Sequence, residues 1–236
     1  MLKKGEEMKM PSVGLILTGM AIVLGGTLPT MTANAAPEDK EPIKLEIPEP
    51  FFGGTPLDGC FPHLEKMTFE PRPPFLAPKG TTLLSRGKPV SSSVKSPIFG
   101  KLEMVVDGDK GSDRNSMIEL DAGPQWVQID LQKTYEAQAI ILWHFRQGSN
   151  FFFDVVVQVS NDPNFKSGVT TLYNADDDNS AGLGIGKDLD YVETHEGRLI
   201  DAKGIKSRYV RCYSNGSAWS DKNNYVEIEV FGKAAE

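Results

Sequence analysis

The stretch Gly123-Pro124-Gln125-Trp126-Val127-Gln128-Ile129-Asp130-Leu131 decides how the whole chain is read. A Gly-Pro turn leads into strict alternation. Val127, Ile129 and Leu131 fall on one face; Trp126, Gln128 and Asp130 fall on the other. A period of two predicts a strand with one side in a core. The same texture recurs on both sides of it. Candidate strands cover 82–85, 90–93, 137–145, 153–160, 170–173, 208–214 and 225–231, separated by Gly, Asn and Asp. No amphipathic helical stretch of ~12 residues interrupts them, so the spacing predicts an all-β sandwich or barrel. In the most apolar strand, Phe153, Val155, Val157 and Val159 are expected to share the core face. In the last, Val226, Ile228 and Val230 point one way while Glu227 and Glu229 point the other.

The bulk composition is that of a globular protein: 236 residues, 39% hydrophobic and 24% charged. The net charge of −7 and the lack of a basic-aromatic patch argue against a nucleic-acid partner. At the N-terminus, Lys3, Lys4 and Lys9 precede an apolar run over 13–28, and Ala33-Asn34-Ala35 follows as a small-residue cleavage site. This is the anatomy of a secretory signal peptide over residues 1–35. The run is shorter than the ~20 residues of a membrane span, so no span is expected after cleavage. The mature chain is therefore expected to be secreted, periplasmic or at the cell surface, in a bacterial setting.

Residues 36–79 are dense in proline, which suppresses helices and central strands alike. They also carry Phe51, Phe52, Phe61, Phe69 and Phe75, more aromatic surface than a solvated tether needs. The segment reads as an extended arm lying partly against the domain at 80–236, with a flexible linker as the alternative. The two cysteines are Cys60 and Cys212. Export would permit a bridge, but Cys212 shares a strand face with Val210 and also reads as a small buried hydrophobe.

Four motifs in order carry a resemblance. Leu84–Ser93 resembles an opening strand, and Val106-Asp107-Gly108-Asp109 an Asp-Gly loop. Gly123–Leu131 resembles a Gln-Trp-x-Gln-Ile-Asp-Leu strand. Arg208-Tyr209-Val210-Arg211 with Val226–Gly232 resembles the last two core strands. Together they resemble the discoidin, or coagulation factor 5/8 type C, superfamily over residues ~80–236. The resemblance implies a discoidin-like jelly-roll β-sandwich of the galactose-binding type, preceded here by the Pro-rich extended arm. It also implies a structural Ca²⁺ held by the loop and the last strand; carried over, the positions are Asp107, Asp109, Ser112 and Glu227. Calcium's demand for six to eight oxygen ligands suits such a turn, although Asp-Gly is also a common plain turn. Two departures stand out: Ser112-Asp113-Arg114-Asn115 where the family often has Trp, and the long insert 174–197.

Sugar recognition needs a flat aromatic for the ring face and forked polar groups for hydroxyls. In the resembled modules the site lies on loops at one end of the sandwich. The loops at 143–151 and 215–221 have this chemistry, with His144, Arg146, Asn150 and Trp219 as the ligand-binding candidates. The plainer alternative places Trp143 and Phe145 in the core and makes His144 a strand-end residue. Asp176-Asp177-Asp178-Asn179-Ser180 fails as an EF-hand because Ala181 stands where the turn Gly belongs and no Glu closes the loop. It reads as a solvated acidic loop, with a second cation site as the alternative. The three His residues lack metal-ligand spacing and no nucleophile elbow is present, although Glu193 and Glu196 flank His195. The chain thus reads as an exported, non-catalytic module binding a glycan or polysaccharide. The alternative is a cell-envelope module for protein–protein interaction or adhesion.

Overall fold

The computed structural model describes residues 39–50, 61–68, 70–147 and 150–235. The expected signal peptide, Cys60, Phe51, Phe52 and Phe69 lie outside the described residues. In chain order the strands are β1 (Lys40–Pro42), β2 (Leu76–Pro78), β3 (Thr82–Leu83), β4 (Val90–Ser92), β5 (Ile118–Leu120), β6 (Gln125–His144), β7 (Val156–Ser160), β8 (Thr170–Asn174), β9 (Arg198–Ser214) and β10 (Asn223–Ala234). Two short 3₁₀ turns, Leu102–Val106 and Arg114–Ser116, precede β5. Every strand pairing is antiparallel.

The fold is an all-β sandwich built on two bent strands. The sequence suggests separate strands over 126–131 and 137–145, but β6 runs through both. Its register against β9 shifts between Asp130 and Tyr135. At that corner Gln132 sits at φ 70°, and Asp130 Oδ1 accepts the Gln132 N–H at 2.7 Å. The first half of β6 lies between β4 and residues 209–214 of β9, which continue to β7 and β8. The second half lies between β10 and residues 198–207 of β9, and β10 carries β3 and β5. The bends fold the two halves over one core.

That core takes Val127, Ile129 and Leu131 from the opening stretch, all fully buried. They meet Ile140, Leu142, Val155, Val157, Val159, Val210, Cys212, Ile228 and Val230. Burying each large aliphatic side chain is worth about 1.5–3 kcal/mol. Cys212 is buried and free, as a packing residue. Phe153 departs from the expected alternation and is partly exposed. Asp154 at φ 54° turns the chain before β7 starts, so the period of two begins only after it. On the outer face, Arg208 grips Asp130 with two hydrogen bonds of 2.7 and 2.8 Å. Arg211 lies between the rings of Trp126 and Phe165 while bonding Gln128 Oε1.

The described parts of the Pro-rich segment pack on the sandwich. β1 pairs with β2, and Ile43 N donates to Phe75 O at 3.0 Å. Ile43, Leu45 and Phe75 cover a second apolar cluster of Met117, Ala139, Ile141, Trp143, Val226 and Phe231. Apart from Met117, which precedes β5, these are side chains of β6 and β10 that face away from the main core; Val226, expected beside Ile228 and Val230, is among them because the register shifts between Tyr225 and Glu227. Further along, Arg72 bonds the carbonyls of Glu196 and Gly197, and Arg198 pairs with Glu65 at 2.8 Å.

Candidate functional site

β6 ends at His144, and the chain then loops to β7 beside the turn from β9 to β10. Phe145 N donates to Asn224 O, Ala218 N to Phe151 O, and Phe152 bridges Ser217, so the two loops are tied at the end of the sandwich. Within the second loop Ser217 Oγ accepts the N–H groups of Trp219 and Ser220. Asn223 Oδ1 accepts the N–H of Gly216, whose φ of +76° suits glycine. This tight turn leaves the indole of Trp219 outside, 64% exposed.

Beneath Trp219 runs a groove of about 580 Å³. Phe145 and Met117 supply apolar wall; Arg114, Glu119, Gln147, Asn150, Ser217, Ser220 and Asn224 supply polar groups. Asn150 also lines the groove and is buried; its Nδ2 donates to Phe145 O and its Oδ1 has no hydrogen-bond partner. Asn224 Nδ2 donates to Glu119 Oε2 at 3.2 Å, which orients that carboxylate. The groove thus joins a flat exposed aromatic to acceptors and donors set at several angles, the chemistry a sugar face and its hydroxyls require.

Of the four expected ligand-binding residues, Asn150 and Trp219 meet in this groove. His144 does not: it has no exposed surface. Its ring stacks on Phe152, tilts against Tyr225, and its Nδ1 sits 2.7 Å from Glu193 Oε1. The reason is register, since His144 pairs with Tyr225 across β10 and so faces inward. Arg146 is also buried and turns away from the groove, donating to the carbonyls of Lys110 and Gly111. Phe145 and Gln147 lie in the loop singled out by sequence, and Ser217 and Ser220 in the other. Glu119 and Asn224 carried no local signal, because only the β5–β10 pairing brings them here. Of the two carboxylates that flank His195 in sequence, Glu193 is the buried partner of His144, and Glu196 accepts the Arg72 N–H.

The Asp-Gly loop and Glu227 do converge. Gly108 N donates to Glu227 Oε2 at 3.1 Å. Asp107 Oδ1 accepts Asp109 N, and Asp109 Oδ1 accepts Gly111 N. Ser112 shares a cleft with Gly108, Asp109, Lys110, Arg146 and arm residues 46–50. Arg86 donates from Nη1 to the Asp107 carbonyl, and a Cβ on Gly108 would overlap its guanidinium. Lys110 Nζ is 2.7 Å from Glu229 Oε1. Glu227 is buried and its Oε1 has no partner. Burial pushes its carboxyl up to about 8, against the opposing pull of the Gly108 hydrogen bond. Glu227 thus keeps one buried carboxylate oxygen without a partner beside the Asp-Gly turn, a donor type that suits a hard cation, while the Arg86 guanidinium already takes the Asp107 carbonyl.

Residues 104–212 match the F5/F8 type C family model described as NedA-like, galactose-binding domain. No curated protein matches the chain. Among solved structures the chain is similar to the lectin domain of lectinolysin complexed with Lewis B antigen: 22% identity, TM-score 0.46, covering 64% of this chain and 96% of that one. It is also similar to a Streptococcus pneumoniae fucose binding module, at 19% identity and TM-score 0.47, covering 63% and 96%. A third similarity is to a family 89 glycoside hydrolase from Clostridium perfringens, at 20% identity and TM-score 0.48, covering 65% of this chain. The chain spans only 15% of that hydrolase, and 34% of a truncated AlyQ with CBM32 and alginate lyase domains.

Proposed function

We propose that this chain is a non-catalytic carbohydrate-binding module that holds its glycan in the groove beneath Trp219. The observation that carries the reading is the exposed indole of Trp219 sharing one groove with Phe145 and with Asn150, whose Oδ1 is unpartnered. The family match over residues 104–212 supports it, because the matched family is described as galactose-binding. Trp219 stacks on the apolar face of a sugar ring, and Gln147, Asn150, Glu119 and Arg114 read its hydroxyls.

A structural Ca²⁺ anchored by Glu227 belongs to the same proposal. It would neutralise a carboxylate that is otherwise buried without a full set of partners, and so brace the Asp107–Ser112 loop. We also infer export, on the strength of residues 1–35, with residues 36–79 as an arm and 80–236 as the binding domain. Among the described residues no helix is long and apolar enough to cross a membrane.

A glycan array probed with the chain lacking residues 1–35 tests the reading. Binding to a defined glycan class, lost in Trp219→Ala, is the expected result. Silence across diverse glycans, with capture of an envelope protein instead, would overturn it in favour of a protein-adhesion module.

A further inference from the structure

We propose that Glu193, from the long insert 174–197, is a positioning residue of the glycan groove that fixes both loops lining it. The proposal rests on the groove beneath Trp219 being the glycan site. Glu193 bonds the chain on either side of the first loop. Its Oε1 lies 2.7 Å from His144 Nδ1, and its Oε2 accepts the His144 N–H at 3.5 Å. Its own N–H donates to Asn150 O at 2.8 Å. Residues 144 and 150 flank the segment that brings Phe145 and Gln147 to the groove, and Asn150 lines the groove itself.

The same carboxylate reaches the second loop through the His144 ring. That ring stacks on Phe152 with 4.3 Å between centroids and tilts against Tyr225 at 4.8 Å. Phe152 bridges Ser217 through the backbone, and Phe153 N donates to Gly216 O at 3.1 Å. On the Tyr225 side, Ser214 Oγ lies 2.9 Å from Tyr225 Oη and 2.7 Å from Asn223 Oδ1, which accepts the Gly216 N–H. Both routes end at the turn that presents Ser217, Trp219 and Ser220 to the groove.

The chemistry of the pair shows why an acceptor is needed at this point. A carboxylate oxygen beside Nδ1 keeps the imidazole proton there and sets the plane of the ring. Nε2 has no hydrogen-bond partner among the described residues, so no second bond fixes that plane. Stability alone is a weak reason for burying a carboxylate against a histidine, because apolar residues can often replace a buried polar pair without loss. Here the bonds are spent on the two segments that shape the groove. The insert is itself held from the arm, where Glu65 N donates to Asp190 O and Asp190 N to His63 O.

The test combines hydrogen exchange of the unliganded chain with calorimetric titration by D-galactose. Glu193→Ala is expected to speed exchange over residues 144–152 and 214–221 at least about tenfold. Glu193→Gln keeps an acceptor for the Nδ1–H and should hold exchange within about threefold of the wild type. Val159→Ala, a core truncation further along β7, controls for lost stability and should leave both segments unchanged. Galactose affinity should follow the same order, at least about tenfold weaker in Glu193→Ala and near wild type in the other two. The inference is overturned if Glu193→Ala exchanges in these segments as the wild type does, or if Val159→Ala speeds them equally. It is also overturned if Glu193→Ala loosens the loops yet binds galactose as tightly as the wild type. A wild type that does not bind galactose counts against the proposed function, and loop exchange then still decides whether Glu193 positions the groove.

Discussion

His144 Nδ1 lies 2.7 Å from Glu193 Oε1, and neither side chain reaches solvent. The pair joins the end of β6 to a residue of the long insert, and Glu193 Oε2 also accepts the His144 N–H. Glu193→Ala would orphan the ring nitrogen inside the sandwich. Loss of about 1–3 kcal/mol in urea unfolding is expected, the cost of an unsatisfied buried polar group. A change within the ~0.5 kcal/mol typical of surface sites would refute the structural role assigned to this pair.

Trp219→Ala should separate binding from folding. The indole is mostly outside, so the melting temperature should stay close to that of the wild type. Glycan affinity, measured by calorimetry on an array hit, should fall at least about tenfold, or ~1.4 kcal/mol. An equal loss from Arg146→Lys with unchanged stability would instead put Arg146 back in the site.

The pH dependence of stability follows from Glu227. Its carboxyl is raised from 4.5 to about 8, so between those values the folded chain holds a proton that the unfolded chain has released. This group's contribution to stability is fully present below pH 4.5 and is lost as pH rises from there to about 8. Asp190, raised from 3.8 to about 7, acts with the same sign over a lower window. In chelator, Glu227→Gln should flatten the upper part of this slope. Calcium should raise the wild-type melting temperature most at the alkaline end, where the ligand is ionised. A melting temperature that climbs from pH 5 to 8 in chelator, unchanged by Glu227→Gln, contradicts the assignment.

The arm offers a separate test. Phe75 is half-buried on the outer cluster of Ile141, Trp143 and Phe231, whereas neighbouring Leu76 is exposed. Phe75→Ala should cost up to about 3 kcal/mol by chemical unfolding, and Leu76→Ala little. Equal effects would mean that the arm does not pack as described.

Cys212 gives the simplest readout. Burial pushes its thiol up to about 12, and a thiol in that state does not react. In a Cys60→Ser background, a thiol reagent should label the folded chain only as fast as it unfolds. Rapid native labelling would show that the strand face is open.

Local patterning was enough to read the sandwich. Alternation at 127–131, 155–159 and 228–231 is a local property of the backbone, and Val127, Ile129 and Leu131 are in the core as their period requires; Phe153 and Val226 fall off it, where the turn at Asp154 and the register shift between Tyr225 and Glu227 reset the period. The sequence also located the Asp107 turn and Glu227, which meet through the Gly108 hydrogen bond, and the two loops that carry Asn150 and Trp219. What those loops present depends on long-range pairing. Register against β10 turned His144 inward onto Glu193, from 49 residues away, and β5 set Glu119 beside Asn224. Asp154 likewise came to lie beside Asp176 and Asp178 of the insert. Periodicity records which face of an element is apolar, but a polar side chain's partner is set by long-range pairing that no local pattern contains.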